Sequence, residues 1–271
     1  MLVVDLDGTT LDHEGRLSDV DVAAARALAL AGIPVTIATG RLFTGTRWVA
    51  EALGVRGTVA VMNGSELVDV QSGETRHART LAASVRTGMH GVLSSRGFGT
   101  FLFGTRRIHY GADHERHAPY LSIWTRELER WGDVFDAPDW HTGDDVLAVG
   151  VVGHPDALSE LRDHLRLQLP AEIETVLFGT FDGHGFLKIR HAADDKGTAL
   201  ARLAEERGLG IADCVAVGDW TNDIPMLQVA GRSFAMGHAR EEVRIHADEV
   251  LDASRDGGAI AEVARKVWDI G

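Results

Sequence analysis

Short apolar runs alternate with amphipathic stretches at both ends of the chain. Leu2-Val3-Val4 is too short for a helix and opens directly onto Asp5-Leu6-Asp7-Gly8-Thr9, which predicts a buried strand and a turn. Ser18 is placed to cap a helix. Asp19 and Asp21 suit its first turn, and Gly32 closes it after the Ala- and Leu-rich segment 22–31. Pro34 then precedes a second strand, Val35-Thr36-Ile37-Ala38-Thr39. Strand, helix and strand in that order predict a parallel pair with a right-handed crossover. The style continues with a helix at 44–53, a strand at 58–62, a turn at Asn63-Gly64, and a hairpin pairing 66–70 with 75–79 around Ser72-Gly73.

From Leu81 the alternation becomes irregular and aromatic residues become frequent, among them Phe98, Phe101, Phe103, Tyr110, Tyr120, Trp124, Trp131, Phe135 and Trp140. A strand at 146–152, a helix at 155–169 opened by Pro155, and a strand at 186–190 stand out. After them the opening style returns. A helix at 194–207 ends at Gly208, and a buried strand at 214–217 ends at Gly218-Asp219. A helix at 222–230, a strand at 233–236 and a helix at 258–268 complete the chain. The middle stretch, 81–188, reads as a domain inserted into the first.

Composition changes this picture little, and charge somewhat more. Hydrophobic residues at 45% supply enough apolar surface for a core, so disorder is not expected. Forty acidic against 27 basic side chains give a net charge of −13, which argues against nucleic-acid binding by phosphate neutralisation. A local cation or metal could still hold a small anion. The single Cys214 cannot form an intrachain disulfide, which fits a reducing cytosol. No basic stretch precedes an apolar run at the start. The apolar segment 22–38 is broken by Arg26, Gly32 and Pro34. A cytoplasmic protein is therefore expected, monomeric or homodimeric, with neither a leader nor a membrane partner.

The candidate chemistry lies at strand ends. Asp5 and Asp7 follow the first strand; Asp219 and Asp223 follow the strand at 214–217. In an open parallel sheet such ends collect ligands, so all four acids can meet at one edge. Two carboxylates about 4 Å apart repel by about 4 kcal/mol at an effective dielectric of about 20, so the cluster needs a cation or protons. Oxygen donors with no Cys or His cluster favour a hard ion, Mg²⁺ first. A carboxylate can also attack phosphorus, and a second one two residues on can serve as acid and then base. The phosphoryl charge needs cationic and N–H partners. Thr39 with Gly40, the N–H groups around Leu6 and Gly8, and Lys196 at a helix start are the candidates. Each has a bland reading alone: Asp-Gly is a common turn, a helical lysine is usually solvated, Asn63-Gly64 is a hairpin turn, and Asn222-Asp223 could cap a helix. Three strand-end signals in order, with a lysine before the last, set the combination apart.

These residues resemble the haloacid dehalogenase superfamily, in its Cof-type phosphatase branch. The resemblance rests on Asp5-Leu6-Asp7-Gly8-Thr9, Thr39-Gly40-Arg41, Asn63-Gly64, Lys196-Gly197 and Gly218-Asp219-x-x-Asn222-Asp223. It extends to Pro225-Met226, Ala235-Met236-Gly237 and Asp256-Gly257-Gly258. It implies an α/β fold: a Rossmann-like parallel-sheet core from 1–80 and 189–271, with an inserted α/β cap domain, 81–188, controlling substrate access. It further implies that Asp5 is the nucleophile and a Mg²⁺ ligand, and that Asp7 is the acid/base and a ligand through its carbonyl. Asp219 would be the third protein ligand, and Asp223 a further ligand or the holder of a metal water. Thr39 and Lys196 would bind the phosphoryl group, with Lys196 also restraining Asp5. Arg41 and Asn63 would lie where the substrate's phosphate end comes in, and Gly40 and Asn222 join the binding set. Four positions depart from the pattern: His238 for the usual Asn, Thr10 for Leu, Trp220 for a small or acidic residue, and Lys188 for Glu.

The activity so implied is Mg²⁺-dependent hydrolysis of a small phosphorylated metabolite, a sugar phosphate or similar, through an aspartyl-phosphate. A phosphomutase or other phosphotransferase shares these motifs. A non-enzymatic, receiver-like phospho-accepting module shares the acidic cluster, but the Asp5-x-Asp7 pair and the long insert speak against it. The insert's aromatics read as core. His109, His114, His117 and His141 match no metal-ligand spacing and read as surface or pocket histidines. Arg106-Arg107 reads as a solvated loop.

Overall fold

The computed structural model describes residues 1–169, 173–180, 183–253 and 257–271. Asp256 of the last sequence motif lies outside them. In chain order the first segment runs β1 (Leu2–Val4), α1 (Asp19–Leu30), β2 (Val35–Ile37), α2 (Phe43–Ala52), β3 (Thr58–Val61), β4 (Glu66–Asp69) and β5 (Thr75–Ala78). The middle segment follows with α3 (Ala83–Leu93), β6 (Gly99–Gly104), β7 (Ile108–Gly111), α4 (Ala118–Leu121), β8 (Leu128–Trp131), β9 (Val146–Gly153), α5 (Pro155–Gln168), β10 (Ile173–Gly179) and β11 (Gly185–His191). The last holds α6 (Lys196–Glu205), β12 (Val215–Gly218), α7 (Ile224–Val229), β13 (Arg232–Ala235), α8 (Glu241–Arg244), β14 (Glu249–Val250) and α9 (Ala259–Trp268). Among the described residues no helix is long and apolar enough to cross a membrane.

Two compact units result. The first comprises Met1–Gly40, Thr46–His77 and Asp194–Gly271; the second comprises Arg41–Gly45 and Ala78–Ala193. The Thr39-Gly40-Arg41 motif is therefore divided, with Arg41 in the second unit.

The first unit is an α/β layer structure of the Rossmann-like kind. Its five-stranded parallel sheet has the order β14-β13-β12-β1-β2. A single parallel bridge, Ala38 to Ala60, links β2's end to the three-stranded sheet β3-β4-β5. The chain leaves β1 toward β2 in one direction and leaves β12 toward β13 in the other. The reversal, where such sheets bind ligands, falls between β1 and β12. Small side chains pave the sheet face under α6. Ala38, Ala216 and Ala235 pack there with Ala199, Leu200, Leu203 and Met226. Gly197 lets α6 press close to α7, because a Cβ at that position would sit 2.6 Å from the Pro225 carbonyl oxygen.

Three details differ from the sequence expectation, each for a physical reason. Asp21 does not serve its own helix. It is buried and accepts hydrogen bonds from Gly258 N at 2.7 Å and Ala261 N at 3.1 Å, so it caps α9, whose first N–H groups have no partner within the helix. Burial pushes its carboxyl up against the lowering effect of these bonds. The third strand stops one residue early because Met62 takes φ +49°, and Asn63 and Gly64 follow at +57° and +93°. Helix α6 begins at Lys196 rather than 194, because Asp195 is its cap in a reciprocal box with Thr198.

The second unit is a six-stranded sheet, β10-β11-β9-β6-β7-β8, antiparallel except for β7 with β8. Met89 and Leu93 of α3 and Leu158, Leu161 and Leu165 of α5 pack with Leu102, Val149, Val151, Leu187 and Ile189 of the sheet. The alternation of a strand puts Phe101, Phe103 and Phe186 on the opposite face, with Trp124 5.1 Å from the Phe186 ring. Gly150 leaves room for them; a Cβ there would meet Phe186 at 2.5 Å and Phe103 at 2.8 Å. Trp140 is fully buried, as expected of a core aromatic. Of the histidines read as surface or pocket residues, His109 and His117 are buried, and each accepts a neighbour's N–H: Trp131 Nε1 at 3.0 Å and Arg116 Nε at 3.2 Å.

Candidate active site

The strand ends of the first unit converge as the parallel order requires. Asp5 leaves β1 with its backbone N–H bonded to Val217 of the neighbouring β12. The chain then folds back on itself: Thr9, Thr10 and Leu11 all donate to the Leu6 carbonyl, and the Thr10 hydroxyl donates to the Asp5 carbonyl at 2.6 Å. Gly8 takes φ +82° in this turn, and a Cβ there would lie 2.5 Å from an Asp219 carboxylate oxygen. Only glycine lets the β1 loop approach Asp219 so closely. The Gly8 N–H, one of the expected phosphoryl donors, instead bonds to the Leu11 carbonyl at 3.2 Å.

Lys196 reaches the same point from α6. Its ammonium is fully buried and donates to Asp5 Oδ1 and Asp223 Oδ1, each at 2.6 Å. A lysine in a helix's first turn opposes the helix dipole, and burial opposes its charge. The two carboxylates overcome both, raising its pKa despite desolvation. The solvated-helix reading of Lys196 therefore fails.

Asp223 has a second task. Its Oδ2 accepts from the backbone N–H groups of Asp219 and Trp220, both at 2.9 Å. It thereby closes the turn after β12. Gly218 is required for this, since a Cβ would be 2.4 Å from the Asp223 carboxyl carbon. Asp219 receives Thr9 Oγ1 on Oδ1 at 3.2 Å and contacts His238 Nε2 through Oδ2 at 3.3 Å.

Asp5, Asp219 and Asp223 are buried, and each offers an oxygen within 4.8 Å of the others'. Burial pushes the Asp5 carboxyl well above the usual carboxylate range. Lys196 opposes that rise, while Asp223, Asp219 and Asp7 add to it. One ammonium faces three carboxylates, so the cluster has negative charge to spare, and its donors are all oxygen. That set fits a divalent cation of the hard type.

The remaining sequence candidates divide. Asp7 lies in the same turn with its side chain exposed. Thr39 is buried at the end of β2, its carbonyl accepting from Asn63 N at 2.8 Å. Gly40 is close to Asn63: a Cβ on it would be 3.3 Å from Asn63 Oδ1. Asn222 Nδ2 donates to that same Oδ1 at 2.9 Å, so β3's left-handed turn and β12's turn are tied together. Arg41 belongs to the second unit. Thr9, Thr10 and His238 carry contacts that the sequence reading did not assign. Thr9 lay inside the opening motif, and Thr10 and His238 were visible only as departures from the family pattern.

The family model for haloacid dehalogenase-like hydrolase matches residues 2–263. The chain is 28% identical over 263 residues to the 5-amino-6-(5-phospho-D-ribitylamino)uracil phosphatase YcsE of Bacillus subtilis, covering 95% of this chain and 92% of that protein. It is 28% identical over 248 residues to the HMP-PP phosphatase of Yersinia pseudotuberculosis, covering 89% and 84%. In structure it resembles a haloacid dehalogenase-like hydrolase from Bacteroides thetaiotaomicron with a TM-score of 0.86 at 22% identity, covering 98% of each chain. The chain therefore belongs to the haloacid dehalogenase-like hydrolases, in their Cof-type branch.

Proposed function

We propose that the protein is a Mg²⁺-dependent phosphatase of the cytoplasm. It would hydrolyse the monoester of a small phosphorylated metabolite through an aspartyl-phosphate on Asp5. The observation that carries this reading is the buried Asp5 carboxylate, held by Lys196 at 2.6 Å within a three-carboxylate cluster at the sheet's reversal point. The names of the curated relatives, phosphatases of small metabolites, support it.

Asp5, Asp219 and Asp223, with the Asp7 carbonyl, would hold the Mg²⁺, which supplies neutralisation of the phosphoryl charge. The protein's own groups do the rest. Lys196 fixes Asp5 Oδ1, so Oδ2 is the attacking atom. Its bond to phosphorus forms as the ester P–O bond breaks, and Asp7 gives its proton to the departing oxygen. Asp7, now a carboxylate, takes a proton from water as that water's oxygen bonds to phosphorus and the bond to Asp5 breaks. Inorganic phosphate and free Asp5 result. Thr39, Gly40, Asn63 and Asn222 would orient the phosphoryl group, with Arg41 at its outer end. The insert 81–188 would act as the cap that excludes bulk water and reads the leaving group.

The test is phosphate release from a panel of phosphorylated metabolites with Mg²⁺ and with EDTA, beside Asp5→Asn. Mg²⁺-dependent release that Asp5→Asn abolishes is the expected result. Isomerised sugar phosphate without free phosphate would replace this reading with a mutase. A stable phosphoprotein without turnover would replace it with a phospho-accepting module.

A further inference from the structure

His238 stands in the loop after β13, 18% exposed, with Nε2 3.3 Å from Asp219 Oδ2. Three features of the first unit converge on that carboxylate. Thr9 Oγ1 donates to Oδ1 at 3.2 Å. The Cα of Gly8 lies beneath, with room for no side chain. His238 meets the remaining oxygen. An ionised carboxylate can only accept a hydrogen bond, so the Nε2 facing it carries the proton. With Thr9 on one oxygen and His238 on the other, the carboxylate plane cannot turn about its Cβ–Cγ bond without losing a donor.

We infer that His238 is a positioning residue for the metal centre: it orients the Asp219 carboxylate toward the cation through an Nε2–H hydrogen bond to Oδ2. The inference rests on reading the acidic cluster as a divalent-metal site. It goes beyond that reading by giving a role to a residue outside the acidic cluster. Hydrogen-bond partners of metal ligands set ligand orientation, and their loss typically weakens metal binding by about 10- to 100-fold. Reach is part of the argument. A glutamine amide nitrogen is as many bonds from the backbone as histidine Nε2, whereas an asparagine amide nitrogen corresponds to Nδ1 and stops short.

The experiment is calorimetric titration of the metal-free full chain with Mg²⁺, without substrate, on wild type, His238→Ala and His238→Gln. Tm in EDTA monitors the fold. The expected result is a Kd raised about 10-fold or more in His238→Ala and brought back to within about 3-fold of wild type in His238→Gln, with Tm in EDTA unchanged. If His238→Ala fails to fold, His238→Phe takes its place as the variant that fills the space without a donor. Wild-type binding with an unchanged Kd in the Ala or Phe variant overturns this inference and leaves the proposed function standing. The same is true of a raised Kd that Gln does not bring back. Failure of the wild type to bind Mg²⁺ overturns the metal reading itself.

Discussion

Each unit buries one lysine deeply, and the groups around the two differ. Lys196 sits between two carboxylates 2.6 Å away at the end of a helix. Lys188 lies in the middle of β11, 4% exposed, with its ammonium 5.5 Å from the Phe103 ring and 5.9 Å from Trp124. The first cation completes a network whose members are buried charges, so each depends on the others. The second lies against aromatic faces, an attraction of about 0.5–2 kcal/mol. The strand ends of the first unit are thus organised around charge, and the aromatic face of the second unit's sheet around ring area.

Four measurements would sharpen or break that contrast. The largest effect is expected from Asp5→Asn, which removes the attacking group. Phosphate release should fall below about one percent of wild type, and a higher residual rate would remove Asp5 as nucleophile. Lys196→Met should slow turnover about 100-fold or more. It should also destabilise the metal-free protein by about 3 kcal/mol or more, because two buried carboxylates lose their cation. A near-normal rate and midpoint in denaturant would show that the network does not need its lysine.

The third measurement concerns pH. Burial raises the Asp5 carboxyl, with neighbouring acids adding and Lys196 opposing. For a raised acid, stability is greatest when the group is protonated and falls as pH rises through its folded-state pKa. A bound cation reverses that loss and competes with the proton. The rise in Tm caused by Mg²⁺ should therefore be larger at pH 8 than at pH 5, reaching about 5–10 °C at a hundred times Kd. A shift equal at both pH values would place the cation elsewhere. The smallest effect is expected from Lys188→Met, which keeps volume and removes a buried charge. Unfolding free energy should change by less than about 1.5 kcal/mol, in either direction. A loss as large as that of Lys196→Met would mean that more than the rings holds Lys188.

The same contrast explains what could be read from the sequence. In the first unit β1 and β12 are fully buried and show as unbroken apolar runs, each ending at an acid: Val4 before Asp5, Gly218 before Asp219. A parallel sheet puts those ends on one edge, which made a meeting of all four acids legible; Asp5, Asp219 and Asp223 do meet, while the Asp7 side chain is exposed. In the second unit β6, β7 and β8 are short strands, and β6 is apolar on both faces. Phe101 and Phe103 face the rings while Leu102 faces the helices. No alternation marks them, and they were missed, as was α3. Residues that act through hydrogen bonds at long sequence separation were equally silent. Asp21 looked like a helix's own first-turn acid, and nothing near Thr9 pointed to Asp219. The left-handed run at Met62 was hidden because Met favours no such backbone; only Asn63-Gly64 signalled the turn.

The position of β1 has a consequence for synthesis. It lies between β2 and β12, and the contact that joins its loop to the far motif, Thr9 to Asp219, spans 210 positions. At about 5–20 residues per second, roughly 10–40 s pass between the emergence of β1 and that of its second neighbour. Throughout that interval one edge of an apolar strand is open, the condition under which nascent chains pair with the wrong partner. The inserted second unit is translated within this interval. Its length is therefore a waiting time for the ribosome-bound chain, and a shorter insert would narrow the window in which that edge of β1 stays open.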